Sequence, residues 1–329
     1  VVRILDTATI DRYLTTGVAL DAMRRCFRLE AEDRAGAAAR MDLGHSAGWM
    51  RVLPAVFEGI GVFGHKVISF TSGRGVRYVI TLFDIETGEM RAVVDGQAIT
   101  GARTGATSAV AADLLCRPAV EVTAILGTGS VARTQLPALA TVRPVEEIRV
   151  YSPNPANRAR FIVEMQPTLP ARLVDCPTIE AALEGADLVT LATKSPEPVL
   201  FTRHLRPGVH INSVGSARPN LSEVEPEAFT VFDLIVCDSV ALVFGESGDA
   251  IAAAAAGFYD PARAVALSAA LAAGFERTPS DVTLFKSTGT GLQDLALAAA
   301  ILEIAEADDA GTTVDPVLAI KRLGPTGTT

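Results

Sequence analysis

The chain has 329 residues, 49% hydrophobic and 20% charged, with a formal net charge of −9. This is the profile of a globular protein with room for two cores, and it excludes a disordered chain. An acidic balance without a clustered basic face argues against nucleic acid as a partner. No apolar run reaches the roughly 18–20 residues that span a bilayer, so no membrane partner is expected. Val1 to Asp6 lacks the apolar core and cleavage site of a signal peptide, and a cytoplasmic protein is expected. Cys26, Cys116, Cys176 and Cys237 form no C-x-x-C pair and read as reduced, buried thiols. His45, His65, His204 and His210 are scattered, so spacing predicts no metal site.

Residues 9–34 read as a helix, because Ile10, Leu14, Val18, Ala22, Cys26 and Leu29 recur at helical spacing. From 36 to 94 the pattern changes to short apolar runs between glycine-containing turns. Trp49–Phe57, Val62–Phe70, Tyr78–Phe83 and Met90–Val94 read as an antiparallel meander. Ala98–Leu115 reads as an alanine-rich helix, and Pro118 marks a boundary. Beyond it strands and helices alternate. The predicted strands are Val122–Leu126, Ile148–Tyr151, Arg172–Val174, Leu188–Ala192, His210–Val214, Leu234–Cys237 and Val282–Phe285. Such alternation predicts a parallel sheet covered on both faces. A long helix over about 291–307, a short helix over 314–323 and a frayed tail over 324–329 complete the expectation.

The fold class predicted is therefore α/β. A Rossmann-type nucleotide-binding domain over 116–299 is joined to an α+β domain with an antiparallel sheet over 1–115, to which 300–329 return.

The sharpest motif follows the strand Val122–Leu126. Gly127-Thr128-Gly129-Ser130-Val131-Ala132 is a G-x-G-x-x-A turn leading into a helix. The first glycine permits the tight turn, the second lets backbone approach a pyrophosphate, and the small third residue lets helix and strand pack closely. Free N–H groups at the helix start then hold the phosphates. Such a loop within a full α/β series predicts dinucleotide binding, against a glycine turn in a non-binding domain of the same shape. Thr104, Thr193, Val214 and Gly215 are assigned to the same site. The next strand ends in Tyr151-Ser152-Pro153-Asn154, without the carboxylate that usually meets an NAD ribose. Ser152 and Asn154 can donate hydrogen bonds, and Arg158 could pair with a 2′-phosphate or be a solvated helix residue. NADP(H) is the preferred cofactor, with NAD(H) possible.

Three cations of the first half need explanation. Lys66 lies in an apolar strand on the face of Val62, Ile68 and Phe70. It either lines a pocket or reaches to water. Arg103 lies near a helix start, where the macrodipole disfavours a cation unless an anion is bound; the alternative is an exposed arginine. Arg40 suits a bidentate grip on a carboxylate, although its position alone says little. Arg74 and Arg77 either face solvent on a turn or read a second acidic group on a substrate.

These segments together resemble the ornithine cyclodeaminase/mu-crystallin family. The resemblance rests on Gly64 with Lys66, Leu82–Gly88, Asp95–Thr100, Arg103-Thr104, Ile211–Ser216, Asp238-Ser239, Glu246–Asp249, Phe285–Gly289 and Gln293–Ala296. They occur in the family's order over nearly the whole chain. The resemblance implies a homodimer built through the first sheet. It also implies a substrate carboxylate clamped by Arg40, Lys66 and Arg103. Where ornithine cyclodeaminases carry a catalytic Asp, this chain has Ala217. The stretch between Lys66 and Phe83 is also shorter than usual. The resemblance therefore implies an NADPH-dependent imine (ketimine) reductase, or the reverse amino-acid dehydrogenase, acting on a small cyclic imino carboxylate such as a pyrroline- or piperideine-2-carboxylate. The alternatives are a cyclodeaminase with recycled NAD and a non-enzymatic NADPH-binding protein.

Overall fold

The structure, a computed structural model, describes residues 1–315. Strand β1 (Val2–Leu5) leads into helices α1 (Thr7–Tyr13) and α2 (Thr16–Ala31). The single helix expected over 9–34 is thus two. Thr15 takes an extended backbone, and its hydroxyl accepts from the Val18 N–H at 3.2 Å, so it caps a new helix in mid-pattern.

Strands β2 (Ala35–Ala37), β3 (Met41–His45), β4 (Gly48–Phe57), β5 (Val62–Thr71), β6 (Gly75–Asp84) and β7 (Met90–Asp95) follow. Asp95 caps α3 (Gly96–Leu115) by accepting from the Gln97 N–H at 3.0 Å.

The alternating half comprises β8 (Val122–Leu126), α4 (Ser130–Val142), β9 (Glu147–Tyr151), α5 (Pro155–Met165), β10 (Arg172–Asp175), α6 (Ile179–Leu183), β11 (Leu188–Leu191) and β12 (His210–Ser213). It continues with β13 (Leu234–Cys237), α7 (Val240–Glu246), α8 (Gly248–Ala255), β14 (Val265–Ala266), α9 (Leu267–Ala273) and β15 (Thr283–Lys286). Helix α10 (Gly291–Ala307) and strand β16 (Thr312–Val314) close the described chain. Val314 is thus a strand residue. The rest of the short helix expected over 314–323, and the tail 324–329, lie outside the described residues.

Two sheets result. The first has the order β16-β1-β7-β6-β5-β4-β2, with β3 also on β4. It is antiparallel except where β1 runs parallel to β7. The second, β10-β9-β8-β11-β12-β15-β13-β14, is parallel throughout, the doubly wound arrangement. Its central strands β8, β11, β12 and β15 are largely buried because helices cover both faces. Helix α10 leaves the second sheet and packs on the first, where Leu292, Leu295 and Leu302 join Met23, Phe27, Ile80 and Leu82 in one core. Burying each such side chain stabilises the fold by about 1.5–3 kcal/mol.

Register in the first sheet decides what faces that core. Leu53, Lys66 and Ile80 form one row across β4, β5 and β6; Arg51, Ile68 and Tyr78 form the next; Trp49, Phe70 and Val76 form the third. These rows share one face. The opposite face carries Val56, Phe63 and Phe83, then Val52, Val67 and Val79. There Val56 is 44% exposed, and Met41 and Leu43 on β3 are also exposed.

Candidate active site

The carboxyl ends of β8, β9, β11 and β12 open into a cleft of about 940 Å³. Gly127, Thr128, Gly129, Ser130 and Val131 form one wall; Ser152, Thr193, Val214 and Gly215 line the rest. All nine are residues assigned to a nucleotide from the sequence. Gly127 has φ +115°, and a Cβ there would meet the Ala192 carbonyl oxygen at 2.3 Å. The cradle therefore requires glycine on both conformational and steric grounds. Helix α4 starts at Ser130, so its free N–H groups face the cleft. The residues present fit a dinucleotide.

Three assigned residues lie elsewhere. Asn154 turns its side chain to the Ala156 N–H at 2.9 Å and caps α5. Arg158, proposed from sequence for a 2′-phosphate, is buried, with Nε on Asp175 and Nη1 on the Ser152 carbonyl at 2.7 Å. Thr104 donates to the Thr100 carbonyl within α3. The small residues around it serve helix packing: a Cβ on Gly105 would meet the Thr134 carbonyl of α4 at 2.0 Å.

The far side of the cleft is organised by a residue the sequence did not single out. The fully buried Glu223 carboxylate accepts from the Thr193 N–H (2.6 Å) and hydroxyl (2.9 Å), the Ser213 hydroxyl (2.8 Å) and the Gly215 N–H (2.9 Å). Behind it the Lys286 ammonium donates to Ser213 and to Asp249, each at 2.7 Å, and Asp249 accepts from the Glu223 N–H. Asp249 stays ionised despite burial because Lys286 stabilises its charge.

The three cations read from the sequence do come together. Lys66 and Arg103 share one carboxylate, Asp294 of α10, at 2.5 Å and 2.9 Å. Arg103 also donates to Gln293 Oε1 at 2.7 Å, and Gln293 donates to Asp238 at 3.0 Å. Asp238 in turn accepts from the Gly289 N–H at 2.7 Å. Gly289, with φ +80°, leaves room for the guanidinium: a Cβ there would meet Arg103 Nη2 at 2.7 Å. Arg40 forms a bidentate pair with Glu246 of α7, with 2.7 Å contacts from Nε and Nη2, and reaches the Thr288 carbonyl. The anion that relieves Arg103 is thus the protein's own. Burial lowers the Lys66 pKa to about 8; Asp294 opposes that shift, and the Arg103 and Arg40 charges reinforce it. A buried amine titrating near neutrality can give or take a proton. Arg74 and Arg77 are exposed, and register places Arg77 on the face opposite Lys66. Arg218, beside Ala217 on the cleft wall, lies 5.2 Å over the Trp49 ring.

Residues 3–309 match the model of the ornithine cyclodeaminase/mu-crystallin family. The chain belongs to this family. Among its ornithine cyclodeaminase/mu-crystallin relatives is the ketimine reductase mu-crystallin of Mus musculus, 32% identical over 76% of this chain and 79% of that protein. The Delta(1)-pyrroline-2-carboxylate reductase of Thermococcus litoralis, solved with NADH and L-proline, superposes with a TM-score of 0.89 at 29% identity, covering 95% of this chain and all of that one. An archaeal alanine dehydrogenase dimer with bound NAD gives a TM-score of 0.88 at 26% identity, covering 95% of this chain and 99% of that one. The chain is an oxidoreductase of carbon–nitrogen double bonds that takes a pyridine nucleotide. No described helix is long and apolar enough to cross a membrane. Among the described residues no group of three or more His, Cys, Asp or Glu is placed to hold a metal ion.

Proposed function

We propose that this protein is an NADPH-dependent reductase of small 2-imino carboxylates, with cyclic imines such as pyrroline-2-carboxylate and piperideine-2-carboxylate as first candidates. The observation that carries the reading is the Lys66–Asp294–Arg103 cluster, where β5, α3 and α10 meet. Gly127, Thr128, Gly129, Ser130 and Val131 would hold a reduced nicotinamide dinucleotide, which would supply hydride to the imine carbon. Arg103 and Arg40 hold the substrate carboxylate. Lys66 donates a proton to the imine nitrogen, so that one hydride and one proton convert C=N to CH–NH. Asp294 keeps the two cations apart and aimed. Ala217 on the cleft wall offers no carboxylate of the kind a cyclodeaminase employs, which favours reduction over ammonia release.

The preference for NADPH rests on the end of β9, where Ser152 lines the cleft and no acid stands. Arg158 is engaged through Nε and Nη1, and its Nη2 has no hydrogen bond among the described residues. We assign that nitrogen to a 2′-phosphate.

We divide the chain into a nucleotide lobe over about 116–290, ending before the expected 299 because Leu292 and Leu295 of α10 already pack in the core of the first lobe. The exposed apolar face of β3–β6 is the surface of a cytoplasmic homodimer. The test is reduced-nicotinamide oxidation with pyrroline- and piperideine-2-carboxylate, run with NADPH and NADH separately, beside ammonia release from ornithine and lysine. Ammonia release without net oxidation would reject the reductase.

A further inference from the structure

We infer that Arg218 is a specificity-determining residue that reads a second carboxylate, so that the preferred substrates are imino diacids. The inference rests on the reductase reading above and extends it to the substrate's far end.

The rows of the first sheet set the geometry. Lys66 starts a strip that passes Ile68 and Tyr78 and ends at Phe70 and Trp49. Phe70 lies four residues on from Lys66, about 13 Å at roughly 3.3 Å per residue. The two ends are therefore far enough apart to hold separate carboxylates. The near end is cationic, the middle is apolar and aromatic, and Arg218 closes the far end over Trp49.

The other arginines along this strip have carboxylate partners: Arg103 has Asp294, Arg40 has Glu246, and Arg51 has Asp42 at 2.5 Å. Arg218 has no side-chain hydrogen bond or ion pair among the described residues. Lys194, also on the cleft wall and likewise without an ion pair there, follows β11 on the nucleotide side. The Arg218 backbone is fixed, since its carbonyl accepts from the Leu221 N–H at 3.0 Å and the Gly248 N–H at 3.3 Å. Asp42 is the neighbouring carboxylate, and Arg51 already holds it. An exposed guanidinium on an anchored loop, stacked on an indole at the cleft wall and with no direct ion pair, is preorganised for a carboxylate. Arg74 and Arg77 are in a turn and on the opposite face, away from this strip.

The test compares imines formed from ammonia with oxaloacetate, 2-oxoglutarate or 2-oxoadipate against those formed from pyruvate or 2-oxopentanoate, with NADPH. Wild-type protein is expected to favour the best diacid in kcat/KM by about 10-fold or more. Arg218→Gln should collapse that ratio by about 10- to 100-fold, chiefly through KM, and Arg218→Lys should keep part of it. An unchanged ratio in Arg218→Gln, or a rise in KM confined to NADPH, would overturn the inference. If wild-type protein reduces no imine, the reductase reading fails. The diacid reading is then judged by calorimetric binding of glutamate and 2-aminoadipate against norvaline to the NADP+-loaded protein. There Arg218→Gln must weaken the diacids selectively, and equal weakening or none rejects the inference.

Discussion

The Lys66 ammonium and the Asp294 carboxylate meet at 2.5 Å, with side chains 1% and 0% exposed, although one belongs to β5 and the other to α10. Burying a lone ammonium in such a core is prohibitively costly. The pair therefore ties the return of α10 onto the first sheet to the chemistry of the site, and Arg103 makes the same carboxylate serve two cations.

Removing that carboxylate should weaken the fold as well as the activity. Asp294→Asn leaves Lys66 and Arg103 without a charge partner, and stability should fall by about 3–5 kcal/mol. Urea unfolding of the variant checks this. A midpoint equal to that of the wild type would mean that the two cations find other partners.

Replacing Lys66 separates chemistry from nucleotide binding. Lys66→Ala should lower kcat by about 10²–10⁴-fold, the range for a positioned acid. The NADPH dissociation constant, read by fluorescence titration, should hold. Turnover near the wild-type level would end the role given to Lys66.

The pH dependence follows from the Lys66 pKa of about 8. The protonated amine is the proton donor and also helps to hold the carboxylate. Activity in the direction of reduction should therefore be retained below that pH and lost as pH rises through it. A pH profile of kcat/KM measures this, and a rate still climbing beyond pH ~9 would contradict it.

The cofactor cradle makes a steric prediction. Gly127→Ala places a methyl against the Ala192 carbonyl at a left-handed backbone position. NADPH affinity should drop by about 10-fold or more, while the circular dichroism spectrum stays native. Arg158→Ala should cost NADPH more affinity than NADH; equal losses would return Arg158 to a purely structural role.

The exposed face of the first sheet predicts assembly. Val56→Glu should shift the protein from dimer to monomer in light scattering after gel filtration, because it puts a charge into an apolar contact. A monomeric wild-type protein would contradict the dimer outright.

Elements with strong local signals are legible in the sequence. The turn from Gly127 to Ala132 and the apolar strands of the parallel sheet depend on neighbouring residues, and the helix 291–307 was placed correctly. The break at Thr15 was hidden because apolar spacing continues across α1 and α2, and the hydroxyl cap leaves no trace in that spacing. The short strands β1, β2, β3 and β16 are too brief for alternation to register.

At the site, the cations stood out because a charge in an apolar strand or a small-residue helix is conspicuous. Their partners did not, since Asp294, Glu246 and Glu223 meet them or the cleft only through tertiary folding. The ion pair of Arg158 was equally hidden, because Asp175, from the next strand, comes beside it only on folding. Asp294 did carry one signal: an acid inside a long apolar helix needs a buried partner.

The most direct test of the reductase reading is the loss of reduced-nicotinamide absorbance with pyrroline-2-carboxylate, with ornithine assayed for ammonia in parallel. Stoichiometric NADPH oxidation accompanied by proline formation is the predicted result. Ammonia from ornithine with the nucleotide unchanged overall would contradict the account and make the protein a cyclodeaminase working without the carboxylate that Ala217 replaces.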